Sequence, residues 1–199
     1  MPVVHSFDPP ERFVVGTVGE PGARAFFLQA RSGPRMVSVA CEKQHVAALA
    51  ERIDELLDEV MRSSTTVVPA VAPWDMDDND PLEQPIEEEF QVGTLTLSWD
   101  PGDERVVIEV LPLTEVTLVD PEESVTGEEI AALAEAEDEP EELVIVRMPP
   151  AAARSFVKRA RQVIGAGRPD CPFCGRPVDP QGHLCVRANG FKRRDPSGE

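Results

Sequence analysis

The chain has 199 residues, with 19 Lys/Arg against 37 Asp/Glu and a formal net charge of −18. A chain of this size can bury a core that needs no disulfide staples, and 41% hydrophobic residues exclude wholesale disorder. The carboxylate surplus disfavours a dedicated nucleic-acid binder or a ligand of anionic membranes, since both need clustered cations.

The opening MPVVHSFDPPERF has no basic stretch followed by an apolar core, so it does not read as a secretory signal. No run approaches the roughly 18 apolar residues of a membrane helix. Residues 1–60 read as a first β-β-β-α half. It opens with ERFVVGT at 11–17, and the turn signal GEPG at 19–22 follows. AFFLQAR at 25–31 places Phe26, Leu28 and Ala30 on one strand face. After SGP at 32–34, MVSVAC at 36–41 does the same with Val37, Val39 and Cys41. Cys41 therefore reads as a small core hydrophobe. From Glu42 to Val60, Val46, Leu49, Ile53, Leu56, Leu57 and Val60 form a 3.6-residue stripe, which predicts a helix packed on the sheet. His45 reads as a surface or boundary residue of that helix. His5 has no partner near it in sequence.

Residues 61–89 hold Pro69, Pro73, Pro81 and Pro85 and eight acidic residues, which predicts a flexible or extended linker. DMDDND at 75–80 resembles the start of an EF-hand loop but has Asp80 where Gly is required and Ile86 where Glu is required.

Residues 90–167 repeat the first plan. EEFQVGT at 88–94 matches ERFVVGT at five of seven positions: Glu11/Glu88, Phe13/Phe90, Val15/Val92, Gly16/Gly93 and Thr17/Thr94. A strand over about 90–99, a turn at Pro101-Gly102, and strands at 105–111 and 142–148 follow. Pro149 and Pro150 suit the first turn of a second helix, where a missing N–H costs nothing. Phe156, Val157, Ala160, Val163 and Ile164 form its buried stripe, and Gly165 and Gly167 end it. An acidic insertion at 113–141 carries the capping-box pattern Thr126-Gly127-Glu128-Glu129, which predicts a short acidic helix. The fold class is thus α+β: internally duplicated β-β-β-α units forming one body about a pseudo-two-fold axis, plus a small C-terminal tail.

That tail, 168–199, is basic. Residues 1–150 hold 9 Lys/Arg and 33 Asp/Glu, whereas residues 151–199 hold 10 and 4. Three of the four cysteines lie in CPFCGRPVDPQGHLC at 171–185. Disulfide-rich secreted proteins spread their cysteines through the fold, so this grouping points to a reducing cytoplasm. The Cys171-x-x-Cys174 spacing lets a tight turn bring two thiolates to one cation. His183 and Cys185 complete a Cys₃His set, the closed tetrahedral count of a structural zinc site, with one zinc expected per chain. Asp179 or water could stand in for His183. Free structural thiols and a redox role are the alternatives, but a redox Cys-x-x-Cys sits at a helix N-terminus, and Gly175, Pro177 and Pro180 forbid a helix there.

Metal binding would supply the folding free energy that a tail so poor in apolar residues lacks. Its presented surface would include Arg176, Arg187, Lys192, Arg193 and Arg194, with Phe173 and Phe191 as anchors. The expectation is a non-enzymatic binding or adaptor protein whose tail recognises a protein partner. Two rivals stand beside it: an enzyme with a site between the two halves, and nucleic-acid binding through the basic tail.

FDPPERFVVGTVGEPG, FFLQAR, QHVAALAERIDELLDEV and the ending CPFCG-x-P-x-D-P-x-GH-x-C-x-R-x-NG together resemble an uncharacterised actinobacterial family, domain of unknown function 3090. The resemblance covers nearly the whole chain. It implies a soluble cytoplasmic actinobacterial protein, in keeping with 16 Arg against 3 Lys, and carries no activity or ligand with it. Where Pro usually follows the last cysteine in that family, this chain has Val186, a change that leaves the ligand set intact.

Overall fold

The structure, a computed structural model, describes residues 3–20, 22–114, 142–167, 171–174, 178, 185 and 187. Its strands are β1 (Val3–Phe7), β2 (Arg12–Val18), β3 (Ala25–Ser32), β4 (Arg35–Cys41), β5 (Glu88–Asp100), β6 (Arg105–Pro112) and β7 (Glu142–Met148). The helices are α1 (Lys43–Ser63) and α2 (Pro150–Gly165), with a single 3₁₀ turn at Trp74–Met76. Two β-β-β-α runs therefore follow one another, as the sequence predicts. The expected helix near Thr126 falls outside the described residues.

The strands form one mixed seven-stranded sheet in the order β1-β7-β6-β5-β4-β3-β2. The halves meet at β4 and β5, which pair in parallel. A two-fold axis normal to the sheet would make that pair antiparallel and would not place the last strand of one run beside the first strand of the next. The expected pseudo-two-fold is thus replaced by a head-to-tail succession. The long connection from β4 through α1 and residues 64–87 supplies the crossover that a parallel pair requires. The second parallel pair, β1 with β7, comes from the N-terminal strand, which the sequence reading left unassigned.

Both helices pack on one face. Phe26, Leu28 and Ala30 of β3 and Val37, Val39 and Cys41 of β4 are buried there, with Val46, Leu49, Ile53 and Leu57 of α1 and Phe156, Val157 and Ala160 of α2. Phe13 stacks on Phe156 with ring centroids 4.8 Å apart. α1 starts at its N-cap Glu42, whose backbone N–H donates to His45 Nδ1 at 3.3 Å, so His45 closes the first turn.

Two glycines of the repeated motif differ in what confines them. Gly93 sits where the β5–β6 register shifts between Val92 and Thr94, a bulge that turns Leu95, Leu97 and Trp99 toward the core. A Cβ there would lie 2.6 Å from Leu113 Cα and 2.7 Å from the Pro112 carbonyl oxygen. At Gly16 the three atoms nearest a Cβ would all belong to the Leu82 side chain, the closest its Cγ at 2.5 Å. Backbone yields less than a side-chain end. Gly93→Ala should therefore cost about 2 kcal/mol or more in urea unfolding, and Gly16→Ala measurably less. Equal losses would contradict this account of the bulge.

Residues 64–87 hold no strand or helix beyond the 3₁₀ turn and are pinned to the body by arginines. Arg159, 8% exposed, donates from Nε to the Val15 carbonyl at 2.7 Å, from Nη1 to Asp78 Oδ1 at 2.7 Å and from Nη2 to the Asp80 carbonyl at 2.7 Å. Arg12 grips the other oxygen of Asp78 at 2.6 Å. Arg154, 5% exposed, joins α2 to Asp54 and Asp58 of α1 and to the Pro69 carbonyl. On the opposite sheet face, Leu82 packs against Val14 and Phe27. Gln29 donates to the Glu83 carbonyl at 3.1 Å and accepts from its N–H at 2.8 Å. The acidic run is thus used to cross-link the two halves.

Candidate metal centre

Beyond α2 the chain reaches the cysteine-rich tail. Residues 172–174 form a tight turn, as the Cys-x-x-Cys spacing and the surrounding prolines require. That turn brings Cys171 and Cys174 together, and Cys185 closes on them. One sulfur from each lies within 4.8 Å of the other two. Cys171 and Cys185 are buried, with their Sγ atoms 3.7 Å apart. A disulfide needs about 2.05 Å between sulfurs, so these are thiols. Two sulfurs bound tetrahedrally at about 2.3 Å from zinc stand roughly 3.8 Å apart. The sulfur spacing therefore fits a shared ion.

The electrostatics favour thiolate here. Burial pushes the Cys171 thiol up. Bonds with the backbone at Phe173 and Cys174, and with the Cys174 and Cys185 side chains, outweigh it and hold Cys171 below the ordinary thiol range. Cys41 shows the contrast. Enclosed in the core under the helices, it is pushed up to about 12, first by burial and then by Glu42. It is an inert core thiol, as its place on the strand face predicts.

Among the other expected tail residues, Phe173 is 60% exposed at the top of the turn. Arg187 is exposed and donates from Nη1 to the Phe173 carbonyl at 3.2 Å, tying the chain after the last cysteine back onto the knuckle. His183, Arg176, Phe191, Lys192, Arg193 and Arg194 lie outside the described residues.

The groove between the helices and the cavity beside β2 are where an active site between the halves would sit. The groove, about 540 Å³, is lined by Asp54, Asp58, Arg154, Lys158 and Arg161. Arg154 and Arg161 pair with Asp54, Arg154 also with Asp58, and Lys158 with Asp77. The cavity, about 150 Å³, is lined by Arg12, Phe13, Asp78, Phe156 and Arg159, and its charges are those of the Asp78 cross-link. Sequence reasoning missed these arginines because each lies far along the chain from the group it binds.

A second grouping was also missed. His5, Glu89 and Glu142 bring one ligand atom each within 4.8 Å of one another. Among the described residues no helix is long and apolar enough to cross a membrane.

Residues 5–185 match the model of a family described as a protein of unknown function, DUF3090, and the chain belongs to that family. The matched span runs from His5 to Cys185 and so contains both ligand groupings. No curated protein and no solved structure matches the chain.

Proposed function

We propose that this protein is a non-enzymatic binding or adaptor protein in which a structural zinc ion orders a C-terminal recognition element for a protein partner. The observation that carries the reading is the convergence of Cys171, Cys174 and Cys185. His183 supplies the fourth ligand in this reading, completing a closed Cys₃His set. The ion's part is folding free energy, which a short tail outside the main core cannot draw from burial.

The body is a stiff support for that element. Its two halves share one sheet, and Arg154 and Arg159 staple α2 to α1, to β2 and to the acidic connection. The exposed ring of Phe173 stands on the turn between the first two thiols. Aromatic anchors with flanking arginines are the side chains that dominate protein interfaces. The nucleic-acid reading is an outcome of the same test.

The test captures partners from a cell extract with the full chain, with Phe173→Ala, and with Cys171→Ser/Cys174→Ser. A partner protein should be retained by the full chain, reduced at least tenfold by Phe173→Ala, and lost from the double variant. Retention of the same partner by the double variant would overturn the reading. So would capture that nuclease treatment abolishes.

A further inference from the structure

The second grouping is built from three strands. His5 lies on β1, Glu142 on β7 and Glu89 on β5. In a flat sheet, β1 and β5 would run about 14 Å apart, three strand spacings. Here His5 Nε2 lies 2.6 Å from Glu142 Oε1 and 3.9 Å from Glu89 Oε1. The sheet curls to achieve this. Arg35, at the start of β4, stacks over the Phe7 ring at 5.0 Å and donates to the carbonyls of Ser6 and Val4. The edge strand is thereby drawn toward the opposite half of the sheet.

We propose that His5, Glu89 and Glu142 form a second metal site, distinct from the cysteine cluster, that takes a divalent cation of the zinc or manganese class. One imidazole and two carboxylates are a borderline-hard donor set, suited to those ions and different in kind from the three thiols. An ion with bonds of about 2.1 Å spaces its ligand atoms about 3.0–3.4 Å apart, depending on geometry. The 2.6 and 3.9 Å separations bracket that range, so small rotamer adjustments suffice.

The charge balance supports the assignment. Asp54, Asp78 and Glu83 each meet an arginine. Glu89 and Glu142 meet only His5 among the ion pairs of the described residues. Two carboxylates share one imidazole, and His5 and Glu142 are both less than one-quarter exposed. A cation between the two carboxylates would neutralise this surplus of negative charge.

The test uses Mn²⁺ as its probe, because thiolate sites select softer ions. Binding is followed by the loss of the free-ion electron paramagnetic resonance signal. The full chain and Cys171→Ser/Cys174→Ser should each bind one Mn²⁺. Glu89→Gln, at the most exposed of the three ligands, should weaken binding at least tenfold, and so should Glu142→Gln. Zinc added to the double variant should displace the Mn²⁺. If the full chain binds no Mn²⁺, or if both glutamine variants bind as the parent does, the three side chains are a plain hydrogen-bonded cluster and the proposal falls. Loss of binding in the cysteine double variant alone would also overturn it, because the Mn²⁺ would then sit at the thiols.

Discussion

Replacing Cys171 and Cys174 together by Ser should cost the chain the one zinc expected at the thiols and open the tail to trypsin while the sheet body keeps its melting temperature to within a few degrees. Structural zinc sites in small modules contribute about 10–16 kcal/mol of apparent binding free energy, and all of it is folding free energy of the segment that supplies the ligands. Serine hydroxyls do not replace two thiolates at neutral pH. The loss should remain local because the main core, from Phe7 through Ala160, is built without these cysteines. Inductively coupled plasma mass spectrometry reads the metal, and timed proteolysis followed by mass mapping reads the tail. A body that unfolds with the tail would show that the ion belongs to the core itself.

The second large effect concerns the acidic connection. Asp78→Asn should lower stability by about 3 kcal/mol, because it leaves the buried Arg159 without its counter-charge. For a chain of this length that is about 6–12 °C in melting temperature. Asp75→Asn, three residues earlier at an exposed position, should change little. The pH dependence has a definite sign. The hydrogen bond from Arg12 leads the causes that hold the Asp78 carboxyl below its usual range, and Arg159 adds to it. A carboxylate depressed in the fold contributes stability that is complete above its unfolded pKa of about 4 and is lost as pH falls through the folded value. The gap between parent and Asp78→Asn should therefore be full at pH 7 and close on acidification below about pH 4. A gap that is constant with pH would mean that the carboxylate is not the source of the stability.

How much was legible follows from the range of the interactions involved. β2 to β4, α1, β5 to β7 and α2 could be read because alternation and the 3.6-residue stripe are local patterns. α1 runs to Ser63, a turn beyond the last residue of its stripe. β1 was not legible. VVHSF is short, three of its five residues are exposed, and its partner β7 begins at Glu142. The head-to-tail joining of the halves was equally hidden. The match of ERFVVGT with EEFQVGT shows that a plan recurs but not which strands meet.

Arg154 and Arg159 stand among the apolar residues of α2, and nothing local marks them as buried. Their burial depends on Asp54, Asp58 and Asp78, which lie 100, 96 and 81 residues away. The thiol cluster was legible for the opposite reason. Two of its members are three residues apart in a segment whose prolines bar a helix, so the spacing nearly fixes the geometry. His5 read as partnerless because Glu142 is 137 residues away.

Zinc-edge X-ray absorption on the full chain, loaded with one equivalent of zinc, tests the central claim most directly. The account predicts three sulfur neighbours at about 2.3 Å and one nitrogen or oxygen at about 2.0–2.1 Å, with the sulfur shell gone in Cys171→Ser/Cys174→Ser. A first shell of nitrogen and oxygen alone in the parent chain would contradict it.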